Sequence, residues 1–537
     1  MESLAADLKE MRRTPLDASH VQELRRLGDV VHFKAGDIVV ELGDPMDAFL
    51  YVLEGEVEVI DTYTREAYLP FTLGPTQFMG EISFLTGGAH SMPMRAKQDS
   101  TMIRVPRDEM LRAMSRIPEM SDIIITVFAA RRRRQLEDGD SSLKLIGAEQ
   151  DRNIRHIAAF AARNKIPFQT MELGSTDASE TAEACHIAGH GPAVVFGKDT
   201  VVPDPTPAKI AKLLGLELEL EEGEVADVLI VGGGPAGVAA AVYAGAEGLS
   251  AIVVEDMAVG GQAGTSSRIE NYMGFPTGIS GADLVWRGEI QAMKFGTRFA
   301  MPKRVAKLIK QEDGIFHATM EDGSVFCAKA VVVATGVQYR RLPLDGLEGF
   351  EGAGIHYAAT DLEARFCQGA QVVVVGGGNS AGQAAMYLSR TAEHVHLLVR
   401  SGSLAASMSD YLSSRLEADP RITIHYNAQL KSLHGEDAMN CVVIDKGGED
   451  WSLDCPAAFI MVGAAPNTDW LAAACKLDAR GFVYTGADVG NSSPFATSCP
   501  GIFAVGDVRA GSVKRVASAV GEGSVVISAV WNHVNGS

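Results

Sequence analysis

"ADVLIVGGGPAGVAAAVYAGAEGLSAIVVED", Ala226 to Asp256, decides how this chain is read. An apolar, β-branched run ends in three glycines, a proline opens an alanine-rich stretch, and a second apolar run ends in an acid. That order predicts strand, tight turn, helix and strand. Gly232, Gly234 and Gly237 form G-x-G-x-x-G. The first glycine permits the turn, the second lets a pyrophosphate approach the backbone, and the third lets helix and strand pack closely. Glu255, at the end of the second strand, stands where a carboxylate accepts from a ribose hydroxyl. The loop is therefore expected to hold a dinucleotide.

The design is repeated downstream in "AQVVVVGGGNSAGQAAMYLSRTAEHVHLLVR", Ala370 to Arg400, with Gly376, Gly378, Asn379 and Ala381 in the turn and helix start. Here the second strand ends in Arg400 instead of an acid. A carboxylate at that place repels a 2'-phosphate and a guanidinium pairs with it, so the expected nucleotide is NADPH in preference to NADH.

Further motifs surround the two loops: "GGQAGTSSRIENYMGFP" from Gly260, "VVVATG" from Val331, and "GIFAVGDVRAGSVKRVASAVGEG" from Gly501. In the last of these, Asp507 is placed to face a flavin ribityl or pyrophosphate group, and a helix starting near Val516 would point its positive end at the isoalloxazine. From about Asp227 to Val534 the chain resembles the low-molecular-weight thioredoxin reductases. Gly260, Gly261, Gln262, Asn271, Gly506, Asp507 and the glycine loops carry the resemblance. It implies FAD on the first loop and NAD(P)H on the second, with the second domain inserted into the first, and a homodimer.

In that family the segment before the second loop carries C-A-T-C, whose dithiol takes electrons from the flavin. In this chain the segment reads "GIHYAATDLEARFCQGAQVVVVGGG", and Ala358, Ala359, Thr360 and Asp361 stand in place of the thiols. Cys367 is the only cysteine nearby, and a single thiol could at most form a mixed disulfide that needs an external resolving partner. It is expected to be a packed residue. The expected activity is hydride transfer from NAD(P)H to FAD, with electrons leaving directly from the flavin to an acceptor the sequence does not identify. Alternatives are a thioredoxin-disulfide reductase, a ferredoxin- or flavodoxin-NADP reductase, and a sensor without turnover. No acid, base or nucleophile is needed, because hydride transfer is cofactor chemistry that the protein positions.

Upstream, from about Val21 to Met110, short β-rich segments alternate with glycine turns, as a small antiparallel barrel requires, and a long helical run comes after them. The stretch resembles the cyclic-nucleotide-binding domain. "FMGEISFLTGGAHSMPMRA" looks like its phosphate-binding cassette, with Gly80 and Glu81 in place and His90 where that family has arginine. Histidine is a weaker, pH-dependent anion partner, so cyclic nucleotide binding and a kept packing module both stay open. Arg131 to Arg134 read as the solvated basic end of that helix.

Between about Leu143 and Leu216 a small α/β unit resembles the thioredoxin or glutaredoxin fold, without cysteines near "GAEQDRN" where its redox pair would sit. The expected architecture is a multidomain α/β protein: an antiparallel barrel with its helix (1–135), a thioredoxin-like unit (140–220), and two Rossmann-like domains, one for FAD (225–345 and 460–537) and one for NAD(P)H (346–459).

Composition fits this reading. The 537 residues are too many for one core, and an apolar content of 46% is globular. A net charge of −20 argues against a nucleic acid partner or an anionic membrane surface. Seven cysteines with no C-x-x-C spacing indicate neither a disulfide framework nor a metal site. The N-terminus lacks a signal-peptide core and no stretch has membrane-span length, so a soluble cytoplasmic protein is expected.

Overall fold

The computed structural model describes residues 15–536 except 62–64, 91, 139–142, 149–150, 186, 188–191, 197–199, 215–217, 219–222, 267–268, 270, 351–352, 358, 360–363, 365–366, 405–407, 437 and 472. At the N-terminus, strands Asp29–Phe33, Ser100–Pro106 and Ala48–Glu54 form one antiparallel sheet, and Ile38–Val40, Met94–Ala96, Val57–Ile60 and Ala67–Leu73 form a second. Two helices frame the cassette: the short α1 (Ser83–Thr86) after Gly80-Glu81, and the long α2 (Pro118–Asp138). Phe128 of α2 meets Phe49, Phe78 and Phe84 with ring centroids 5.8–6.4 Å apart, so four buried aromatic rings bind the helix to the barrel.

The next unit has a sheet in which Leu143–Ile146 pairs in parallel with Gln169–Met171 and antiparallel with Ala193–Phe196, which pairs with Thr200–Val201. Helices Arg152–Arg163 and Thr176–Ala184 make the crossovers, and Pro207–Leu213 closes the unit.

The first dinucleotide domain is built on β1 (Val225–Val231), β2 (Ala251–Val254), β3 (Arg298–Ala300) and β4 (Val325–Val333), with α3 (Pro235–Ala246) following β1 and α4 (Gly281–Lys294) leading to β3. The strands run parallel in the order β3-β2-β1-β4. They read as continuous buried β-branched runs because helices cover the sheet. Two antiparallel strands, Phe316–Met320 and Val305–Lys310, extend the sheet beyond β4.

The inserted second domain carries β5 (Gln371–Val375), α5 (Asn379–Leu388) and β6 (His394–Val399) in an all-parallel sheet that also includes Ile355–His356, Ala457–Ile460 and Ile422–Tyr426. Strands Val337–Tyr339 and Ala464–Pro466 pair antiparallel where the chain passes into and out of it. The chain then returns to the first domain as β7 (Ile502–Ala504), which lies parallel beside β4, and ends in α6 (Val516–Val534). Gly523 of α6 sits so close to α3 that a Cβ there would lie 2.1 Å from the Ala236 carbonyl oxygen.

The barrel and the first dinucleotide domain share one hydrophobic core, in which Met114, Met120 and Ile124 are continuous with Ala240, Ile290 and Met293. Among the described residues no helix is long and apolar enough to cross a membrane, and no group of His, Cys, Asp and Glu could hold a metal ion.

Candidate dinucleotide sites and an occupied cassette

At the first glycine turn, Gly232 has φ +107°, and a Cβ there would lie 2.4 Å from the Ala334 carbonyl oxygen. A Cβ on Gly237 would lie 1.8 Å from the Gly232 carbonyl oxygen. Gly234 caps α3, and a Cβ on it would meet nothing nearer than 4.0 Å, so the backbone is bare where the helix N-terminus faces outward. These are the features a pyrophosphate cradle requires. Glu255 accepts from the Gly233 N–H at 2.6 Å. Burial and the adjoining Asp256 carboxylate push its carboxyl up to about 8.

The Gly260-Gly261-Gln262 turn packs on this cradle: the Gly260 N–H donates to the Gly233 carbonyl at 2.8 Å, and Gln262 donates its amide to the Val337 carbonyl. Asn271 lies farther along, on an exposed bend, and has no hydrogen-bond partner among the described residues. From the C-terminal segment, Gly506 (φ +76°) and Asp507 form a turn before α6. Burial raises the Asp507 carboxyl above its ordinary value, opposed by Lys514. The turn is braced by Glu522, which accepts from the Gly506 N–H at 2.6 Å and pairs with Arg509. Nothing in the sequence singles out Glu522 or Arg509, since a lone acid on a helix carries no motif.

In the second domain Gly376 has φ +148°, and a Cβ there would lie 2.3 Å from the Met461 carbonyl oxygen, while Gly378 caps α5. Ala381 is fully buried against the turn. Asn379 accepts from the Ser409 N–H at 2.9 Å. Arg400, directly after β6, is exposed and makes no ion pair among the described residues.

Of the residues standing in place of a redox pair, Ala358, Thr360 and Asp361 lie outside the described residues, and Ala359 is buried in the core of the second domain with Cys367. All seven cysteines are free. Burial pushes the thiols of Cys455 and Cys475 up to about 12 and about 11, which leaves them protonated and unreactive at neutral pH.

The cassette differs from expectation. Glu81 is buried and paired with Arg132 of α2, whose Nε and Nη2 lie 2.8 and 2.5 Å from one carboxylate oxygen. Arg132 also donates to the Ser83 hydroxyl, and its Nη1 to the Lys165 carbonyl at 2.9 Å. Arg131 donates to the Gly80 carbonyl at 2.8 Å and lies over the Phe78 ring. Arg131 and Arg132 are therefore not part of a solvated helix end: they turn inward because the cassette offers a carboxylate and a carbonyl. His90 is buried, and burial lowers its pKa, so the ring is neutral at pH 7 and does not substitute for the guanidinium. Arg95, five residues after His90 in the quoted cassette, is paired with Glu58 at 2.5 Å.

Two glycine cradles on parallel sheets, the second domain inserted in the first, define an FAD-dependent pyridine nucleotide oxidoreductase. The chain belongs to the pyridine nucleotide-disulphide oxidoreductase family, whose model matches residues 226–523, and residues 30–117 match the cyclic nucleotide-binding domain. It is 34% identical to a thioredoxin reductase of Treponema pallidum over 311 residues, which are 58% of this chain and 97% of that one. With a Bacillus subtilis protein named NADH dehydrogenase it shares 29% identity over 59% of this chain and 60% of the other. Among solved structures, thioredoxin reductase from Lactococcus lactis superposes with a TM-score of 0.54 at 27% identity, over 58% of this chain and 100% of that chain. The family implies FAD and NAD(P)H as cofactor and substrate.

Proposed function

We propose that this protein oxidises NADPH through FAD and delivers electrons from the flavin to an acceptor without an internal dithiol. The observation that carries the reading is "YAATDLEARFC", Tyr357 to Cys367, which has one cysteine where an exchanging dithiol needs two, and that cysteine is fully buried. When bound, FAD takes the hydride and releases electrons singly or in pairs. Gly232, Gly234 and Gly237 would receive its pyrophosphate, and Glu255 an adenosine ribose hydroxyl. Asp507 would face the FAD ribityl or pyrophosphate group, Gln262 would join the flavin site, and the start of α6 would lie by the isoalloxazine, where the helix N-terminus favours added negative charge. Gly376, Gly378, Asn379 and Ala381 would hold the nicotinamide dinucleotide, with Arg400 against a 2'-phosphate. The resemblance to the reductases supports a homodimer.

The test is the visible spectrum of the purified protein during anaerobic addition of NADPH and, separately, NADH. Bleaching by stoichiometric NADPH, with no long-wavelength thiolate-to-flavin band, is expected, and it should persist when every cysteine is replaced. A flavin that neither nucleotide reduces, or turnover with thioredoxin that disappears with the cysteines, would overturn the reading. Reduction assays with ferredoxin, flavodoxin and dioxygen then separate the acceptors.

A further inference from the structure

The groups in the cassette that would meet a cyclic nucleotide are hydrogen-bonded within this chain, some inside the cassette and some to other units. Arg132 takes the Glu81 carboxylate and the Ser83 hydroxyl. The N–H of Phe84 donates to the Glu81 carbonyl, that of Gly88 to Ser83, and that of His90 to Asp44. Ala89 donates its N–H to the carbonyl of Leu214, at the far end of the thioredoxin-like unit. The guanidinium also reaches the same unit from the other side through the Lys165 carbonyl. Beside it, the Asn164 side-chain amide donates to the Met257 carbonyl at 3.0 Å, two residues past Glu255 of the flavin site.

The same cassette leans on the flavin domain. Helix α4 packs against both α1 and α2. It carries Glu289, a half-buried carboxylate raised to about 7 by burial and drawn back by the charges of Arg132 and Lys165. Lys294 at the C-terminal end of α4 pairs with Asp122 of α2. The N-terminal end of α4 is fixed to the flavin-side turn: the Gly281 N–H donates to the Ser266 carbonyl at 2.8 Å, and a Cβ on Gly281 would lie 1.6 Å from the Ala263 carbonyl oxygen. Helix α4 thus runs as one rigid piece between the cassette and Gln262.

We propose that Arg132 is the cassette's internal ligand, a clasp that locks α4 and the flavin-side turn in register, and that a cyclic ribonucleotide engages Glu81 only by displacing it. A carboxylate buried against a guanidinium is closed to a ribose hydroxyl, and removing the guanidinium without a replacement strands a buried charge. Occupation of Glu81 by a ligand and occupation by Arg132 are therefore mutually exclusive states, which is the condition for coupling a ligand to a remote site. The proposal deepens the reading of a flavin reductase carrying an N-terminal regulatory domain, and its first readout does not depend on turnover.

The experiment compares the full-length flavoprotein with Arg132→Gln and Glu81→Gln, using amide hydrogen exchange over residues 281–294 and calorimetric titration with cyclic AMP and cyclic GMP. Both variants should exchange about fivefold faster or more across α4, the low end of measured couplings. Arg132→Gln should bind one of the two nucleotides at least about tenfold more tightly than the parent, because no internal ligand competes. Glu81→Gln, which keeps the shape of the cassette, guards against a variant that fails to fold. Unchanged exchange over 281–294 in the folded variants overturns the clasp. Failure of Arg132→Gln to bind either nucleotide more tightly than the parent overturns the competition. Reduction of the flavin by NADPH, measured on the same samples, reports on the underlying reading separately.

Discussion

Glu522 holds Arg509 and the Gly506 N–H with the same carboxylate: Nη2 of Arg509 is 2.5 Å from Oε1, and Oε2 lies 3.0 Å from Nε and 2.6 Å from the Gly506 nitrogen. Both side chains are largely buried, Arg509 at 17% and Glu522 at 14% exposure. The pair therefore fixes the turn at left-handed Gly506 that carries Asp507, proposed above as a flavin contact.

Replacing Glu522 by Ala should cost about 3 kcal/mol, because a largely buried guanidinium and a backbone N–H both lose their acceptor. FAD should be retained less tightly, since the Asp507 turn loses its brace. Thermal unfolding of the apoprotein and flavin release on dilution check this, and unchanged values for both would refute it.

The two glycine cradles should respond unequally at their third position. Gly237→Ala puts a Cβ 1.8 Å from the Gly232 oxygen, so the backbone must move, at about 3 kcal/mol or more, and FAD should be lost. The second cradle already accommodates a side chain at Ala381. There, Ala381→Gly should cost only about 1 kcal/mol, the ordinary helix penalty, with FAD content unchanged. Flavin-to-protein absorbance ratios of the two purified variants decide the matter.

Glu255 should contribute a loss of apoprotein stability as pH rises from about 4.5 to about 8, against His90, His396 and His425, whose burial lowers their values and acts the other way below about 6.5. The Glu255 carboxyl is raised to about 8 in the folded chain, so over that window the folded state binds a proton that the unfolded state has released. Glu289, raised to about 7, acts in the same direction as Glu255, so Glu255→Gln should remove only part of this contribution, read as the difference in slope between variant and parent. A ribose hydroxyl donating to Glu255 favours the ionised form, so FAD binding at neutral pH should release protons. Calorimetry in two buffers of different ionisation enthalpy detects them; a slope unaltered in Glu255→Gln would contradict the assignment.

Arg400→Ala should raise the KM for NADPH about tenfold and that for NADH less than about twofold, because an exposed guanidinium serves only the 2'-phosphate. Equal changes for both nucleotides would remove Arg400 from the specificity reading.

Local patterns are legible in the sequence wherever the chain must repeat a tight geometry. Three glycines and an alanine-rich helix after a valine run leave few structures for Ala226–Asp256, and the start of α6 expected near Val516 is the observed one. The contacts that join domains are not legible. Arg132 reads as one of four surface arginines because its partner, Glu81, lies far back in the chain and the pairing depends on α2 folding onto the barrel. Glu522 escapes notice for a related reason: its value lies in reaching a backbone N–H on the preceding turn, which no residue pattern records.

The position of β7 has a consequence for how the protein is made. That strand completes a sheet whose other parallel members were synthesised before the inserted domain, and α6 supplies the surface against which α3 packs. On the ribosome, β1 to β4 must therefore wait, with the face of α3 uncovered, while the whole of the inserted domain emerges. That domain, continuous in sequence, is free to close first, and a chain cut short before Ile502 would leave the first cradle without its last strand and the Asp507 turn however well the rest had folded.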